Sequence, residues 1–274
     1  MKKKKDILDV GICIYRKFLL KKLLTSLKRQ TYKKVLYIFL IDNPTESQNI
    51  KTIINKYNLN CIIYSNAKNL GSYKCYDILL KKSKSKYFLR VDDDDYFLEK
   101  TYLEILIKKI QQGYDFVLPR VKLIDEKNKK KRILNNFFKN KKTKREFIRA
   151  FFDEKSMIFY SIFKRKKLLK LHKKYFLLNL SAFGEGILNL RVCSELYGTY
   201  SPQSTYCYVR HSYHATNKIK NKNIYLSELK YSFLELLNIF LIKKINLIFK
   251  IWYSFDSIKN IFKSCLGYLY NLNK

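Results

Sequence analysis

Short apolar runs alternate with amphipathic stretches along the first 120 residues of this chain. Leu8–Ile14 is an unbroken apolar run but for one aspartate, and it predicts a strand covered on both faces. Lys17–Lys28 carries Leu20, Leu23, Leu24 and Leu27 at helical spacing. Val35–Ile41 predicts a second strand, stopped by the turn sequence Asp42-Asn43-Pro44. Gln48–Tyr57 puts Ile50, Ile53 and Ile54 on one helical face; Cys61–Tyr64 is a third strand, and Asn69-Leu70-Gly71 is a turn. Ser72–Lys82 predicts a helix, Tyr87–Val91 a strand, Leu98–Gln111 a helix and Phe116–Val121 a strand.

Strands and helices alternating at this interval imply βαβ units, hence an α/β fold with a mainly parallel sheet and helices on both faces. Such sheets bind ligands at the carboxyl ends of their strands. Asp42, Asn43 and the run Asp92–Asp95 all stand there and are expected to meet on one rim. The second half is less regular. Arg145–Phe152 and Arg165–Lys173 read as helices, Ala182–Gly186 as a flexible turn, Ile187–Tyr197 as a helix and Thr205–Val209 as a short strand. From Ile224 onward the pattern is helical and rich in Leu, Ile, Phe and Tyr, with lysines interspersed.

Composition sharpens one feature. The chain has 57 basic residues against 22 acidic ones, so four consecutive aspartates are its least expected local composition. Carboxylates this close repel one another unless a cation sits among them. Mg²⁺ and Mn²⁺ take oxygen ligands and share their sites with phosphates. The run therefore points to a metal–diphosphate site. The competing reading is a solvated acidic turn before the helix near Leu98.

The net charge of +35 favours nucleic acid, anionic lipid or phosphorylated substrates without choosing among them. Its densest stretch, Lys127–Arg145, is broken by Ile133, Leu134, Phe137 and Phe138 and suggests a hairpin or helical insertion. The 6 cysteines include no CxxC spacing; Cys13 and Cys61 read as buried small hydrophobes, and a reducing cytosol is expected. The apolar run after Met1–Lys5 is short and carries Asp9, unlike a signal peptide, and no apolar run suffices to span a bilayer.

Several segments together resemble one known family. Leu24, Leu27 and Gln30-Thr31-Tyr32 match an "SLLxQTY" stretch; Asp42-Asn43-Pro44-Thr45-Glu46-Ser47 stands where "VDNGSTD" is expected. Asn66–Gly71 matches an "NxG" turn, and Asp92–Asp95 falls on a DxD motif. Gly184-Glu185-Gly186 with Arg191 is similar to a "GED" motif followed by Arg, and Tyr206–His211 to "YxYRxH". In this order the motifs resemble the nucleotide-sugar glycosyltransferases of family 2, which have the GT-A fold, of the bacterial surface-polysaccharide type. Two departures stand out. The "PxYN" after the first strand is Ile14-Tyr15-Arg16 here, and Gly186 replaces the Asp of "GED".

The resemblance implies an inverting, metal-dependent hexosyl transfer from a nucleoside diphosphate sugar, with a UDP-sugar expected, to a glycan or glycolipid acceptor in capsule or lipopolysaccharide synthesis. It implies a divalent cation, Mn²⁺ or Mg²⁺, on Asp94, Asp92 and His211. It places Asp42, Asn43, Lys68, Asp92, Asp93 and Arg210 at the nucleotide sugar and leaves Glu185 as general base. Three plainer readings compete: an Asx turn for Asp42, a helix N-terminal carboxylate for Glu185, and solvated cations for Lys68 and Arg210. His211 reads equally as a core or surface histidine, and His172 as structural or exposed.

Residues 1–216 are expected to form the catalytic domain, with a nucleotide half to about 121 and an acceptor half from 122. Residues 217–274 form a helical region suited to an anionic membrane surface, on the cytoplasmic face of the inner membrane. The same apolar residues would serve a homo-oligomer interface. A basic nucleic-acid-binding protein is the first rival, but no reading motif accompanies the charge and no specific nucleic acid is expected. A nucleotidyl- or phosphotransferase is the second, and a catalytically dead relative the third.

Overall fold

Leu8, Val10, Ile12 and Ile14 point to one side of strand β1 (Leu8–Ile14) and are fully buried there. The computed structural model describes residues 8–134, 158–175 and 184–211 and isolated helical positions between 233 and 261. In it β1 pairs in parallel with β2 (Val35–Ile41) on one side and β4 (Tyr87–Asp92) on the other. Beyond β2 lies β3 (Cys61–Ser65), also parallel. The sheet continues past β4 through β8 (Ile162–Lys164), β6 (Phe116–Asp125), β9 (Gly198–Arg210) and β5 (Tyr96–Phe97). β8 runs antiparallel to both β4 and β6, whereas β9 runs parallel to β6. A short arm, β7 (Lys130–Ile133), folds back on β6 as a hairpin.

Strand alternation divides the core in two. Tyr37, Phe39, Leu89 and Val91 share a cluster with leucines of α1 (Leu20–Lys28), isoleucines of α2 (Ser47–Asn55) and Leu103 and Leu106 of α4 (Tyr102–Ile110). Ile38, Leu40 and Phe88 pack on the opposite face. There they meet α3 (Ser72–Lys82), α5 (Arg165–Tyr175) and α6 (Gly184–Glu195). Each such buried side chain contributes roughly 1.5–3 kcal/mol. Helices cover both faces of the sheet as expected, but the sheet is mixed rather than mainly parallel, since β8 runs antiparallel to β4 and β6, and β5 to β9.

Buried polar side chains tie the layers together. Asp9 accepts hydrogen bonds from the hydroxyls of Ser83 and Ser85 and from the amides of Lys84 and Ser85, which fixes the entry to β4. Gln30 donates to the Ser26 and Glu99 carbonyls and accepts from the Leu103 amide. The Gln-Thr-Tyr stretch thus joins the end of α1 to the start of α4. Gly198 is required by packing, since a Cβ there would lie 2.1 Å from the Phe116 ring.

Several boundaries differ from expectation. The helix expected from Leu98 starts at Tyr102, because β5 pairs with β9, the Leu98 amide donates to the Thr205 carbonyl and the Thr205 amide donates to Glu99. The first turn of the Lys17–Lys28 helix is 3₁₀ over Lys17–Leu19. The strand expected to end at Val121 runs on to Asp125, held by β7 and β9. β8 is too short to show a period. Gly184, Glu185 and Gly186 lie inside α6 and not in a turn before it. Cys13 and Cys61 are only half-buried, and the five described cysteines are free thiols.

The Arg145–Phe152 helix, Phe137, Phe138, Cys265, His214 and most of the segment from Ile224 lie outside the described residues. Among the described residues no helix is long and apolar enough to cross a membrane.

Candidate active site

The strand order β3-β2-β1-β4 reverses between β1 and β4, so their carboxyl ends diverge into a crevice. Asp92–Asp95 forms the turn leaving β4 and Tyr15-Arg16 the chain leaving β1. Asp93 bridges the two: one oxygen accepts the amides of Tyr15 at 2.7 Å and Arg16 at 2.8 Å.

Asp93 and Asp95 are buried and Asp92 and Asp94 half-buried, an order set by the turn that the Asp95 amide closes on the Asp92 carbonyl at 3.3 Å and not by extended chain. Asp95 is fully buried and accepts the Tyr206 hydroxyl at 2.7 Å and the Val209 amide at 2.9 Å. It orders the loop. Asp92 is held by Arg90, whose Nε and Nη2 both lie 3.0 Å from one oxygen. Asp94 faces His211, with 2.9 Å between Oδ2 and Nε2. Burial raises the Asp93 carboxyl to about 7, helped by the charge of Asp94 and opposed by the Tyr15 and Arg16 amides. Burial and Asp92 also raise Asp94, against the pull of His211 and Arg16. Asp95 is pushed well up by burial and by both neighbours. This crowding of carboxyl groups is what a cation at the rim would relieve.

The other predicted residues divide. Asp42 is buried and accepts from the Asn66 side chain and from the amides of Leu70 and Gly71, at 2.8–2.9 Å. It anchors the Asn66–Gly71 turn. Asn43 donates to the Tyr15 carbonyl at 2.9 Å and accepts from Thr45. Lys68 is exposed on the Asn66–Gly71 turn, and Arg210 is exposed opposite Asp125 in the β6–β9 register. The backbone of Glu185 lies in the first turn of α6. His172 is buried between α3 and α5, with Nδ1 3.5 Å from Asp77.

Three residues that make contacts within this site were not singled out by the motif reading. Arg90 sits two residues before Asp92 on a strand, a spacing that already puts them on one face. Tyr206 entered only as part of a motif, yet it secures the aspartate turn. Arg16 entered only as a departure, yet its Nη1 lies 2.9 Å from His211 Nε2 and 3.6 Å from Asp94 Oδ2.

Whether a divalent cation suits this site rests on His211. Its Nε2 is 2.9 Å from both Asp94 Oδ2 and Arg16 Nη1. A ring nitrogen carries either a proton or a lone pair. A protonated Nε2 serves Asp94 but opposes the Arg16 N–H, and a bare one serves Arg16 but opposes the carboxylate. A cation reached by both lone pairs resolves the conflict, so Asp94 and His211 fit as ligands. A second group, Cys13, Asp42 and Cys75, has ligand atoms within 4.8 Å of one another. Both Asp42 oxygens are already taken by amide donors, and the hydrogen bond to Cys75 together with burial pushes the Cys13 thiol up. That group is a packed polar cluster.

The family model described as Glycosyl transferase family 2 matches residues 9–172, spanning β1 through most of α5. The chain belongs to glycosyl transferase family 2. This family-2 protein is a glycosyltransferase, and its sheet matches solved GT-A structures. A crystal structure of S. aureus TarS 1-349 in complex with UDP is similar with a TM-score of 0.67 and 17% identity, over 93% of this chain and 72% of that one. TarS 1-349 in complex with UDP-GlcNAc is similar with a TM-score of 0.68 and 15% identity, over the same shares of 93% and 72%. A longer S. aureus TarS chain is 17% identical with a TM-score of 0.68, and the match covers 43% of it. No curated protein sequence matches the family-2 chain.

Proposed function

We propose that this glycosyltransferase is inverting and divalent-cation-dependent. It moves a sugar from a nucleoside diphosphate donor, a UDP-sugar first, to a glycan or glycolipid acceptor of bacterial cell-envelope polysaccharide. The observation that carries this reading is the pairing of Asp94 with His211 at 2.9 Å in the crevice between β1 and β4. Asp94 and His211 would hold Mn²⁺ or Mg²⁺, with Asp92 beside them. Bound there, the ion supplies Lewis-acid neutralisation of the departing diphosphate. The TarS complexes with UDP and UDP-GlcNAc support a uridine donor.

The chain's own residues do the rest. Arg90 orients Asp92, and Asp93 clamps the chain after β1 against the aspartate turn. Lys68 and Arg210 add positive charge at the rim. Glu185 takes the proton of the acceptor hydroxyl as that oxygen attacks the anomeric carbon. Its backbone stands in the first turn of α6, where the helix dipole favours a negative charge.

The lysine-rich apolar segment from Ile224 is assigned to peripheral contact with anionic lipid on the cytoplasmic face of the inner membrane. In it Phe233, Phe240, Ile251 and Ile258 are exposed, whereas Ile239 packs against the core. The exposed four recur at intervals of seven and eleven, compatible with one helical face.

The test is a panel of nucleotide sugars with Mn²⁺ or Mg²⁺, following nucleoside diphosphate release. UDP release that EDTA abolishes and Asp94→Ala abolishes in a folded protein is expected. Full activity in EDTA, or release of pyrophosphate, would sink the proposal.

A further inference from the structure

We infer that Arg16 is a built-in cation that occupies the Asp94–His211 pair and that a divalent ion must displace to bind there. The inference rests on the proposed metal reading and deepens it.

Arg16 is held from both ends. Its amide donates to Asp93 at 2.8 Å, which pins its backbone at the mouth of the crevice. Its guanidinium reaches His211 Nε2 at 2.9 Å and stands 3.6 Å from Asp94 Oδ2, and its side chain is only 20% exposed. The two groups it touches are the two that fit a metal ion. Both are largely buried, His211 at 5% and Asp94 at 10% side-chain exposure. In so shielded a place a full positive charge is attracted far more strongly than at the surface.

The guanidinium meets the donor demand of the site in part, because a bare Nε2 still faces the Asp94 carboxylate at 2.9 Å. With Nε2 bare, an Arg16 N–H is donated to it, and the same charge offsets Asp94. Arginine stays protonated at any working pH, so the contact persists until another cation competes. The single Nε2 lone pair of His211 cannot serve both the Arg16 N–H and a metal ion. A divalent ion therefore binds with its intrinsic affinity reduced by the work of moving Arg16 aside. Released, the guanidinium remains tethered beside the site and is free to meet a donor phosphate.

The test is calorimetric titration of the full-length chain with MnCl₂ in the absence of any nucleotide sugar. Arg16→Asn and Arg16→Gln are each compared with wild type, after circular dichroism and thermal melts establish that they fold. Both are expected to bind Mn²⁺ at least tenfold more tightly, about 1.4 kcal/mol. Asp94→Ala added to Arg16→Asn is expected to abolish that binding. Equal or weaker Mn²⁺ affinity in both folded Arg16 variants overturns the inference. If Asp94→Ala alone abolishes Mn²⁺ binding while the Arg16 variants bind as wild type, the metal reading stands and only Arg16's role fails. Tight binding that survives Asp94→Ala, or no binding in any protein, overturns both.

Discussion

Replacing Tyr206 by Phe tests how the fold reaches into the site. The ring is fully buried, stacked 4.1 Å from Tyr160 and edge-on to Phe97 at 6.1 Å. Phenylalanine keeps those contacts and removes only the hydroxyl. That hydroxyl donates to Asp95 at 2.7 Å and lies 3.3 Å from the Asp92 amide, which donates to it. Without it one carboxyl oxygen and one amide lose a partner, and Asp95 keeps only the Val209 amide. Leaving a buried polar group unpaired costs about 1–3 kcal/mol. Burial and the charges of Asp94 and Asp92 already press Asp95 towards its neutral form, so it escapes part of the charged-group penalty. A loss of about 2 kcal/mol follows. Urea denaturation should show it as a midpoint lowered by about 1 M at unchanged slope, for a slope near 2 kcal/mol/M. Mn²⁺ affinity should fall with it, because the same turn carries Asp94. A variant within about 0.5 kcal/mol of wild type, with Mn²⁺ binding intact, would refute the view that this hydroxyl holds the aspartate turn.

Three further outcomes are expected. Burial lowers His172 from 6.5 to about 4 in the folded protein. Between these values the unfolded chain takes a proton that the folded one refuses, so stability declines as pH falls, by up to about 3 kcal/mol. Urea midpoints at pH 7, 5.5 and 4.5 should show a shallower decline for His172→Phe, and an identical decline would count against it. Gly71 has φ 81° and ψ 158°, a region essentially reserved for glycine, and its amide donates to Asp42. Gly71→Ala should cost roughly 1–3 kcal/mol in thermal or urea unfolding although nothing crowds its Cβ position. Glu185→Gln should slow turnover about 10²–10⁴-fold with donor affinity preserved, and near-normal turnover would place the base elsewhere.

The sequence by itself determined the architecture of the first half. Its apolar runs and helical spacings are local signals, each set by burial of one face or two, and they account for β1 to β4 and α1 to α4 nearly in place. The aspartate run and its position at a strand's end were equally legible, because a strand's carboxyl end is a property of the chain alone. Tertiary structure decided what each polar residue does. Asp92 and Asp94 were expected on the face opposite Asp93 by strand alternation; their burial divides that way, but a turn after β4 sets it and not an extended segment. That Asp93 clamps Tyr15 and Arg16, and that Asp42 is engaged by the Asn66–Gly71 turn, depends on chain segments that meet only when the sheet forms. Strand β8 and the short β5 carry too few residues for any period, and pairing with distant strands creates them. The sharpest case is Arg16. In sequence it is one cation among 57 basic residues and a break in a motif. In the fold its guanidinium lies against Asp94, 78 positions along the chain, and against His211, 195 positions along. Electrostatic partnership follows distance in space, and no local pattern encodes it.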